Sequence, residues 1–437
     1  MIKCISPIEV IRPTRARTLL LAAVLLSTHA GMSQNGNSSG HVPAPTGDAS
    51  MTNVMSFGAD PSGSRDSTDA FIQALGSGNF IFVPPGNYKI TRWDALLMTR
   101  PNQAIYGAGR TASVLEYVGS CQESVEGSHS VLTLQGSWEM VHDLGVTSRT
   151  RNKCIVTGVK MNGDHGLVYN IAVSQMWHSG IGIHGSYNSV LYCDLQYNHF
   201  GMALTGDHQV VRGNYISNHW SSSDEPRPWT KKSDYWDGIA ADALTYSVID
   251  SNTVEDNGQS GIYSGGDPTP SIGNVITFNT VRHNRNEGID QGVAGQVNRA
   301  TNFVGDLVIV GNTSVDNFRR NIWLNQVEGA VVVNNQAAYT ADFGRWWAND
   351  PHRAGDTPVP CQIWETDGRN INNNIVFQNN TCHQIDPSIP GLIFNPGGGG
   401  AGNILGRNNV QGEIQVNGRL DPTTNVVLPK GARRIEP

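Results

Sequence analysis

Carboxylate residues recur at matching places in a short sequence repeat, and their spacing fits acid–base chemistry. Asp242 and Asp290 each follow a Gly-Ile dipeptide, in copies of the repeat that lie two apart. If the copies stack at the spacing of β-strands, the two carboxylates lie about 9 to 10 Å apart. This is close to the roughly 6.5 to 9.5 Å at which one carboxyl group protonates a leaving oxygen while the other activates water.

Other reactive side chains share the same part of the repeat. Tyr263 lies between the two aspartates, His184 precedes them, and Asp237 and Glu287 flank the same segments. Asp237 or Glu287 could replace one member of the carboxylate pair. The predicted catalytic residues are Asp237, Asp242, Asp290, Tyr263 and His184.

The repeat itself predicts the elements that hold these residues. From about residue 160, β-branched residues, an Asn, more β-branched residues and a Gly-Ile segment recur every 20 to 24 residues. A short β period without helices predicts a parallel β-helix with three short strands per coil. A β-propeller is less favoured, because its blades would show hairpin turns. The expected ladder of bend residues comprises Asn170, Asp194, Asn214, Asn252, Asn279, Asn312, Asn335 and Asn380.

Stacking the Gly-Ile segments predicts two outward-facing columns. Side chains alternate between the faces of a strand, so an inward Ile places the next residue, and the residue two further on, outward. The first column comprises Gly182, Ala203, Ala240, Tyr263, Asp290 and Trp323. The second comprises His184, Thr205, Asp242, Gly265, Gly292 and Asn325. Polar and aromatic groups therefore gather on one strip that is expected to face solvent.

The start of the repeat region carries motifs of a known family. Residues 57–63, 81–90 and 105–109 have the sequences FGADPSG, IFVPPGNYKI and IYGAG. They resemble the opening of the pectate-lyase-like superfamily, which includes rhamnogalacturonase- and epimerase-like proteins. The resemblance implies an all-β fold, a single-stranded right-handed parallel β-helix, over about residues 54–410. It does not specify the reaction, because the superfamily includes lyases, hydrolases, epimerases and phage tailspikes.

A short helix is expected at the open end of this coil. Residues 66–68 are suited to cap its N-terminus, since Asp, Ser and Thr side chains accept hydrogen bonds from free backbone N–H groups. Phe71, Ile72 and Leu75 are expected to cover the first coil and so protect its edge.

Two insertions interrupt the repeat, at about residues 221–236 and 341–370. Insertions in a solenoid tend to emerge on one face and to build its binding site. Aromatic side chains offer flat apolar surfaces to sugar rings, and Arg or Lys can bind carboxylates. The predicted substrate-binding residues are Trp229, Lys231, Lys232, Tyr235, Trp236, Arg319, Arg320, Trp323, Arg345, Trp346 and Trp347.

Composition and charge exclude several classes of protein. Of 437 residues, 49 are Gly and only 15% are charged, which disfavours a helical protein. A net charge of −7 disfavours a nucleic-acid partner, because phosphate binding needs a basic surface.

The N-terminus predicts export. Three arginines precede a short apolar run at residues 18–26, which is typical of a secretory signal peptide over residues 1–30. A disordered linker is expected over residues 31–50, and the β-helix domain over residues 51–437. The mature protein is expected to be secreted, extracellular or periplasmic, to have no membrane contact and to act as a monomer.

Export also favours disulfides among the cysteines that follow the leader. The candidate pairs are Cys121 with Cys154 and Cys361 with Cys382, which leaves Cys193 as the odd, buried cysteine. No cysteine spacing suggests a zinc site.

These patterns predict a carbohydrate-active enzyme that cleaves a polysaccharide, as a glycoside hydrolase that requires no cofactor. A polysaccharide lyase is an alternative, in which calcium held by Asp237, Asp242 or Asp290 neutralises a uronate. The candidates for a cationic side chain that neutralises the uronate, or for the base that removes the proton, are Lys231, Lys232, Tyr263, Arg319 and Arg320. An epimerase that uses the same groove is a third choice. A non-catalytic glycan-binding or cell-surface β-helix is the alternative from a different class.

Overall fold

Nearly all the regular structure consists of short β-strands that pair in parallel. A computed structural model of the chain describes residues 51–119, 129–148, 156–219, 236–265, 269–292, 303–347, 357–364, 372–395, 402–416 and 434–435. The predicted leader and linker, and the candidate pair Cys121–Cys154, lie outside the described residues.

Each turn of the chain contributes three strands, here called side, back and front strands in chain order. Strands of the same kind pair from one coil to the next. The side strands are Phe80–Val83, Ala104–Gly107, Met140–His142, Leu167–Tyr169, Ser189–Leu191, Val210–Arg212, Val248–Asp250, Val275–Thr277, Val304–Val310, Val327–Val333, Asn373–Gln378 and Ile404–Leu405, with Thr52–Asn53 and Ser271–Ile272 pairing at their margins.

The back strands form a sheet of twelve strands. They are Gly86–Ile90, Ser113–Tyr117, Gly145–Ser148, Ala172–Ser174, Asp194–Gln196, Tyr215–Ser217, Thr253–Glu255, Thr280–Arg282, Thr313–Val315, Gln336–Ala338, Thr381–His383 and Asn409–Gln411. The front strands are Leu96–Met98, His129–Leu134, Val156–Met161, Ser179–Ile183, Phe200–Asp207, Ile239–Thr245, Ile262–Gly265, Glu287–Gly292, Arg320–Asn325, Val359–Trp364, Pro390–Asn395, Glu413–Val416 and Arg434–Ile435. This arrangement is the predicted parallel β-helix.

The core runs through the centre of the coils as a column of apolar side chains. Every Ile or Met of the predicted Gly-Ile segments points inward and is fully buried, which confirms the alternation assumed for the front strands. These residues are Ile181, Met202, Ile239, Ile262, Ile289 and Ile322. Because the apolar burial repeats in each coil, the front strands are held in register while their outward side chains can vary.

A ladder of buried asparagines closes the bend between the side and back strands. The Asn214 Nδ2 atom donates to Asn252 Oδ1 at 2.9 Å, and Asn252 donates to Asn279 at 3.0 Å. The same contact continues through Asn312, Asn335, Asn380 and Asn408. Six of the eight predicted ladder residues are therefore correctly placed.

Asn170 and Asp194 are exceptions, one residue away from the ladder position. In the coil before Asn214, Cys193 occupies that position, and its backbone N–H donates to Asn214 Oδ1 at 2.8 Å. Asn170 instead has a left-handed backbone and hydrogen-bonds Asp143. A β-branched–Asn–β-branched pattern alone cannot separate these two neighbouring positions.

The helix Thr68–Ser77 covers the first coil as predicted. Phe71 and Leu75 are buried, and the Asp66 carboxylate accepts a hydrogen bond from the Thr68 N–H at 3.0 Å. The prediction for Ile72 was wrong, because its side chain lies on the outer face of the helix and is exposed. No helix in the described ranges is long and apolar enough to cross a membrane.

The later part of the chain corrects one boundary and confirms one disulfide. Val359–Trp364, predicted within the insertion 341–370, is a front strand, because Cys361 and Ile363 alternate inward as in other coils. Cys361 is disulfide-bonded to Cys382 on a back strand, as predicted. Cys193 is a free, buried cysteine, also as predicted.

Candidate functional site

The first predicted outward column exists on the front strands. Successive coils pair in the expected register, from Gly182 with Ala203 to Asp290 with Trp323. The column extends to Lys160 in the preceding coil and to Gln362 in the following one. Tyr263 and Asp290 therefore lie on adjacent strands of the same strip.

The second column is less regular. Asp242 pairs with Gly265, but the register shifts between Leu204 and Gly206 in the preceding pair of strands. A Cβ at Gly265 would lie closer than 3.0 Å to both the Asp242 Oδ1 and the Tyr263 hydroxyl oxygen. The glycine therefore leaves room for these two groups to approach each other. His184 lies two coils away from Asp242, where its Nδ1 is 3.4 Å from the Thr205 Oγ1.

A third column lies at the start of the front strands, and the two-column prediction missed it. Two positions before the inward Ile, consecutive coils carry Asp237, Ser260, Glu287 and Arg320. The Ser260 N–H donates to Asp237 Oδ1 at 2.9 Å, and Glu287 pairs in register with Arg320. The residue immediately before the Gly of each Gly-Ile pair, or before Asn321 in the last copy, marks this column in the sequence.

Ser260 connects the first and third columns. Its N–H bonds Asp237, and its hydroxyl donates to Asp290 Oδ2 at 3.0 Å. Two hydrogen bonds from one serine hold the two carboxyl groups within about 9 Å of each other. The Asp237–Asp290 pair thus lies below the upper limit of about 9.5 Å for a carboxylate pair with a water molecule between its members.

Asp242 and Asp290 lie on front strands that are two coils apart. They occupy different columns, so their separation combines two coils with two residues along the strand. At ordinary strand dimensions this places their Cα atoms about 12 Å apart. Ser260 therefore connects Asp290 to Asp237, whereas Asp242 lies beside Tyr263.

The carboxyl groups of the site are more enclosed than predicted. Asp237 is 5% exposed, Asp290 is 6% exposed, and Glu287 has no exposed surface. Asp290 lies on the outward side of its strand, but neighbouring groups cover it, so the expectation that it faces solvent was wrong. Asp242 is half-buried and lies closer to solvent.

Burial changes the protonation of this cluster. Burial, together with the charges of Asp242 and Glu287, raises the pKa of Asp237 to about 8, against the opposing Ser260 N–H bond. Burial also raises the pKa of Asp290 well above its usual value, aided by the charges of Glu287 and Asp237. The Ser260 hydroxyl bond and Arg320 oppose that rise in the pKa of Asp290. The cluster therefore retains protons at neutral pH.

Two predicted substrate-binding arginines contact Glu287. The Arg320 Nη1 atom donates to Glu287 Oε1 at 2.7 Å, its Nε atom donates to Gln362, and its guanidinium carbon lies 4.9 Å from the centre of the Trp323 ring. Arg319 lies 3.8 Å from the same Glu287 oxygen. Arg320 is thus already bonded on two sides, and it positions Trp323 along the strip.

An aromatic wall stands beside Asp237 at the edge of the front strands. The Trp236 ring lies 3.9 Å from the His199 ring and 4.3 Å from the Phe200 ring, measured between ring centres. Burial lowers the pKa of His199 to about 4, and the pKa of His178 to the same value, so both histidines are neutral. Burial and nearby Lys160 also lower the pKa of His184.

The remaining predicted contact residues have different surroundings. Trp346 stacks on His283 with ring centres 3.9 Å apart, and Arg345 is exposed. Trp347 is 1% exposed and donates from Nε1 to the Asp316 carbonyl oxygen, so it packs its segment against the coil instead of facing a substrate. The described part of the chain does not include Trp229, Lys231, Lys232 or Tyr235.

The described residues contain no evident metal-binding site. In those ranges, no group of three or more His, Cys, Asp or Glu side chains is arranged to hold a metal ion. Asp237, Asp242 and Asp290, the candidate calcium ligands of a lyase, do not form such a group.

Two family models match the chain. The model described as "Rhamnogalacturonase A/epimerase, pectate lyase-like" matches residues 51–221, and the model described as "Right handed beta helix region" matches residues 157–336. Together the two matches span residues 51–336 and support a place for the chain in the pectate-lyase-like superfamily of right-handed parallel β-helices. This confirms both the resemblance and the fold predicted from the sequence.

The chain is similar in sequence to a phage tail spike protein. The chain is 37% identical over 206 residues to the tail spike protein of Salmonella phage epsilon15, covering 46% of this chain and 19% of that protein. It thus spans about a fifth of this relative's length.

Two solved structures share the fold. The Dettilon tailspike protein has a TM-score of 0.70 and 24% identity, covering 83% of this chain and 68% of the other. The mannuronan C-5 epimerase A-module of Azotobacter vinelandii has a TM-score of 0.64 and 14% identity, covering 86% and 100%.

Proposed function

We propose that this protein is a glycoside hydrolase that cleaves a polysaccharide lying along the front strands. The observation that carries the proposal is the buried pair Asp237 and Asp290, held together by one serine. The pKa of Asp237, about 8, keeps a proton on this carboxyl group at neutral pH. A proton donor and a second carboxyl group within about 9 Å fit hydrolysis with inversion.

The residues would share the reaction as follows. Asp237 donates its proton to the glycosidic oxygen, and the bond from that oxygen to the anomeric carbon breaks. Asp290 accepts a proton from a water molecule whose oxygen attacks the anomeric carbon from the opposite side. The net change is the addition of one water molecule. Because the two carboxyl groups interact, they titrate as a pair, and the reactive form carries one proton between them.

Other groups of the strip would bind and orient the sugar. Trp323 and Tyr263 are half-buried aromatic residues on either side of Asp290 in register, and both leave part of their surface to a ligand. Asp242 lies beside Tyr263 and could accept hydrogen bonds from sugar hydroxyls. Trp236 would shield Asp237 from bulk water, which helps to keep it protonated.

The family supports a polysaccharide substrate. The description of the matching family model names a rhamnogalacturonase, an epimerase and a pectate lyase, which are enzymes of polysaccharide chemistry. We also propose that the protein is secreted, as its N-terminal sequence predicts, and that it acts as a monomer.

Elimination on a uronate polymer is the second candidate. It would need a cation to neutralise the uronate, and Lys160 in the first column is a candidate among the described residues. Arg320 is less suited, because Glu287 and Gln362 already bind its guanidinium group. Hydrolysis is therefore preferred.

One assay separates these reactions. The mature protein is incubated with polygalacturonate, alginate, rhamnogalacturonan, α-1,3-glucan and purified bacterial surface polysaccharides. New reducing ends without ultraviolet absorbance support hydrolysis, whereas absorbance from unsaturated products means elimination. The Asp290→Asn variant is the control and should release few reducing ends. If every polysaccharide is unchanged but one is retained on an affinity gel, the protein is a glycan-binding β-helix and the enzymatic proposal fails.

A further inference from the structure

A row of stacked rings lines the bend that follows the front strands. Five successive coils place an aromatic or histidine side chain at the same point of this bend. We name this row the aromatic ridge. It comprises Trp138, His165, Tyr187, His208 and Tyr246.

The first four rings of the ridge lie nearly parallel along the axis of the coil. The Trp138 and His165 ring centres are 4.1 Å apart with planes 3° apart, and the next two contacts are 4.9 and 4.6 Å. The last contact, between His208 and Tyr246, is 5.6 Å. Neighbouring rings cover each other's faces, so the edges of the inner rings point to solvent. These edges carry the Tyr187 hydroxyl and the ring nitrogens of His165 and His208, which are hydrogen-bonding groups.

The backbone at these positions is unsuited to such side chains. All five residues have positive φ, from 47° at Tyr246 to 63° at Trp138. Bulky residues rarely adopt this left-handed conformation, which Gly, Asn and Asp tolerate better. Other coils use those residues at the same position, namely Asn102, Gly273, Asp306, Gly329 and Asn374.

Burial does not explain the rings. Trp138 is 59% exposed, Tyr187 is 48% exposed, and Tyr246 is 57% exposed. The coil also closes without ring side chains at this position. Each ridge residue donates its backbone N–H to the next coil, and Asn102 and Gly273, which have no ring, make the same bond. Strained ring side chains in five consecutive coils, four of them exposed, indicate a binding surface, since strain of this kind tends to be retained for function.

The ridge is continuous with the candidate site. Tyr246 follows Asp242 by four residues in the same coil, and His208 follows Thr205 by three in the coil before. From Tyr246 the ridge extends away from the carboxylates towards the N-terminal coils for roughly 19 Å, taking the spacing of paired strands. The ridge therefore lies beside the outward strip of the front strands, on the side where a long ligand would extend beyond the carboxylate cluster.

We propose that the aromatic ridge is a second glycan-binding surface, which holds an uncharged stretch of the polysaccharide beyond the carboxylate cluster. This inference rests on the proposed function, since the same chain would occupy both places. Sugar hydroxyls would hydrogen-bond the ring nitrogens and the tyrosine hydroxyls, while C–H groups contact the ring edges and the open face of Trp138. Asp207 bonds the His208 ring at 2.5 Å, so this part of the ridge favours a neutral segment over an anionic one.

The test uses substitutions that suit the backbone better than the native residues do. Tyr187→Asn and the double variant Tyr187→Asn with His165→Asn place a residue that tolerates positive φ at each position. The matched control is Tyr192→Asn, which removes a 52% exposed tyrosine with φ of 56° from the bend between the side and back strands. Each variant is assayed on the polymer that the wild-type protein cleaves and on short oligosaccharides prepared from it.

We expect the ridge variants to raise KM for the polymer at least tenfold, with an unchanged kcat on the oligosaccharides and an unchanged or higher Tm. Tyr192→Asn should match the wild-type protein on both substrates. A fall in Tm with an unchanged KM would mean that the rings only stabilise the coil, and the inference would be wrong.

Two further outcomes would also overturn the inference. A concentration-dependent dimer that Tyr187→Asn abolishes would show that a second copy of the chain covers the ridge. A wild-type protein that neither cleaves nor binds any polymer would remove the proposed function itself. That failure is distinguishable, because an error in the ridge alone leaves wild-type cleavage intact.

Discussion

Glu139 and Asp237 are two buried carboxylic acids with similar pKa values and different surroundings. Burial raises the pKa of each to about 8. Glu139 precedes a side strand and accepts a hydrogen bond from the Gly136 N–H at 2.9 Å, and its pKa reflects burial opposed by backbone hydrogen bonds. Asp237 lies two residues before the front strand Ile239–Thr245, and the charges of Asp242 and Glu287 contribute to its pKa.

The comparison shows that a raised pKa alone does not mark a catalytic group. Both acids hold a proton at neutral pH, but Ser260 connects only Asp237 to a second acid at the outer strip. A general acid must also reach its substrate and a complementary base. The surroundings of Glu139 suit a structural role, in which its carboxyl group closes a bend. The surroundings of Asp237 suit a carboxyl group that transfers a proton.

The largest expected difference between the two acids is in catalysis. Asp237→Asn should lower kcat by about 10²- to 10⁴-fold, because an amide cannot donate the proton that a general acid supplies. Glu139→Gln should leave kcat within about twofold of the wild-type value. Both are measured as reducing ends released from the cleaved polymer. Equal losses in the two variants would contradict the distinction between these acids.

The two acids should behave alike in the pH dependence of stability. Each binds a proton in the folded state between about pH 4 and pH 8 that the unfolded chain has released. The free energy of unfolding should therefore fall as pH rises through this window, by about 1.4 kcal/mol per pH unit for each acid, and level off above it. Asp237→Asn and Glu139→Gln should each reduce the pH dependence of the unfolding free energy by about 1.4 kcal/mol per pH unit. The measurement is denaturant unfolding at several pH values. A variant that keeps the full wild-type slope would show that its acid is ionised in the folded protein.

The serine bridge should have an intermediate effect on activity. Ser260→Ala removes the hydroxyl bond that lowers the pKa of Asp290, so the basic group should lose its proton only at higher pH. We expect kcat to fall about tenfold, with the acid-side limb of its pH profile moved upwards. Ser260→Thr keeps a hydroxyl group and should recover most of the activity. A lower kcat with an unmoved profile would indicate altered packing instead.

The smallest effect is expected at Asp242. Removing its charge in Asp242→Asn lowers the pKa of Asp237, so the alkaline limb of the kcat profile should move to lower pH. The maximal kcat should stay within about tenfold of the wild-type value, with KM changing more. A loss as large as that of Asp237→Asn would make Asp242 the catalytic base in place of Asp290.

The sequence predicted the features that repeat and missed those that depend on a single neighbour. The Gly-Ile repeat located the inward side chains and the Tyr263–Asp290–Trp323 register, because alternation on a strand fixes both. It did not reveal that Ser260 joins Asp237 to Asp290, since those contacts connect a bend residue to its neighbouring coils. The burial of Asp290 likewise depends on surrounding coils and not on its own strand.

The aromatic ridge was missed for a related reason. Its residues occupy left-handed positions, where Asn, Asp and Gly are the usual signals, so Tyr187 and His208 gave no indication of a shared bend. The bulge between Leu204 and Gly206 also breaks the simple count from one coil to the next.

The asparagine ladder joins successive coils in the same way whether or not a loop is inserted between its members. Asn214 and Asn252 are 38 residues apart and bond at 2.9 Å, whereas Asn252 and Asn279 are 27 residues apart and bond at 3.0 Å. The closure of a coil is therefore independent of the length of chain inserted into it. We expect that a change in the length of an inserted loop leaves the register of the strands that carry the carboxylates unchanged.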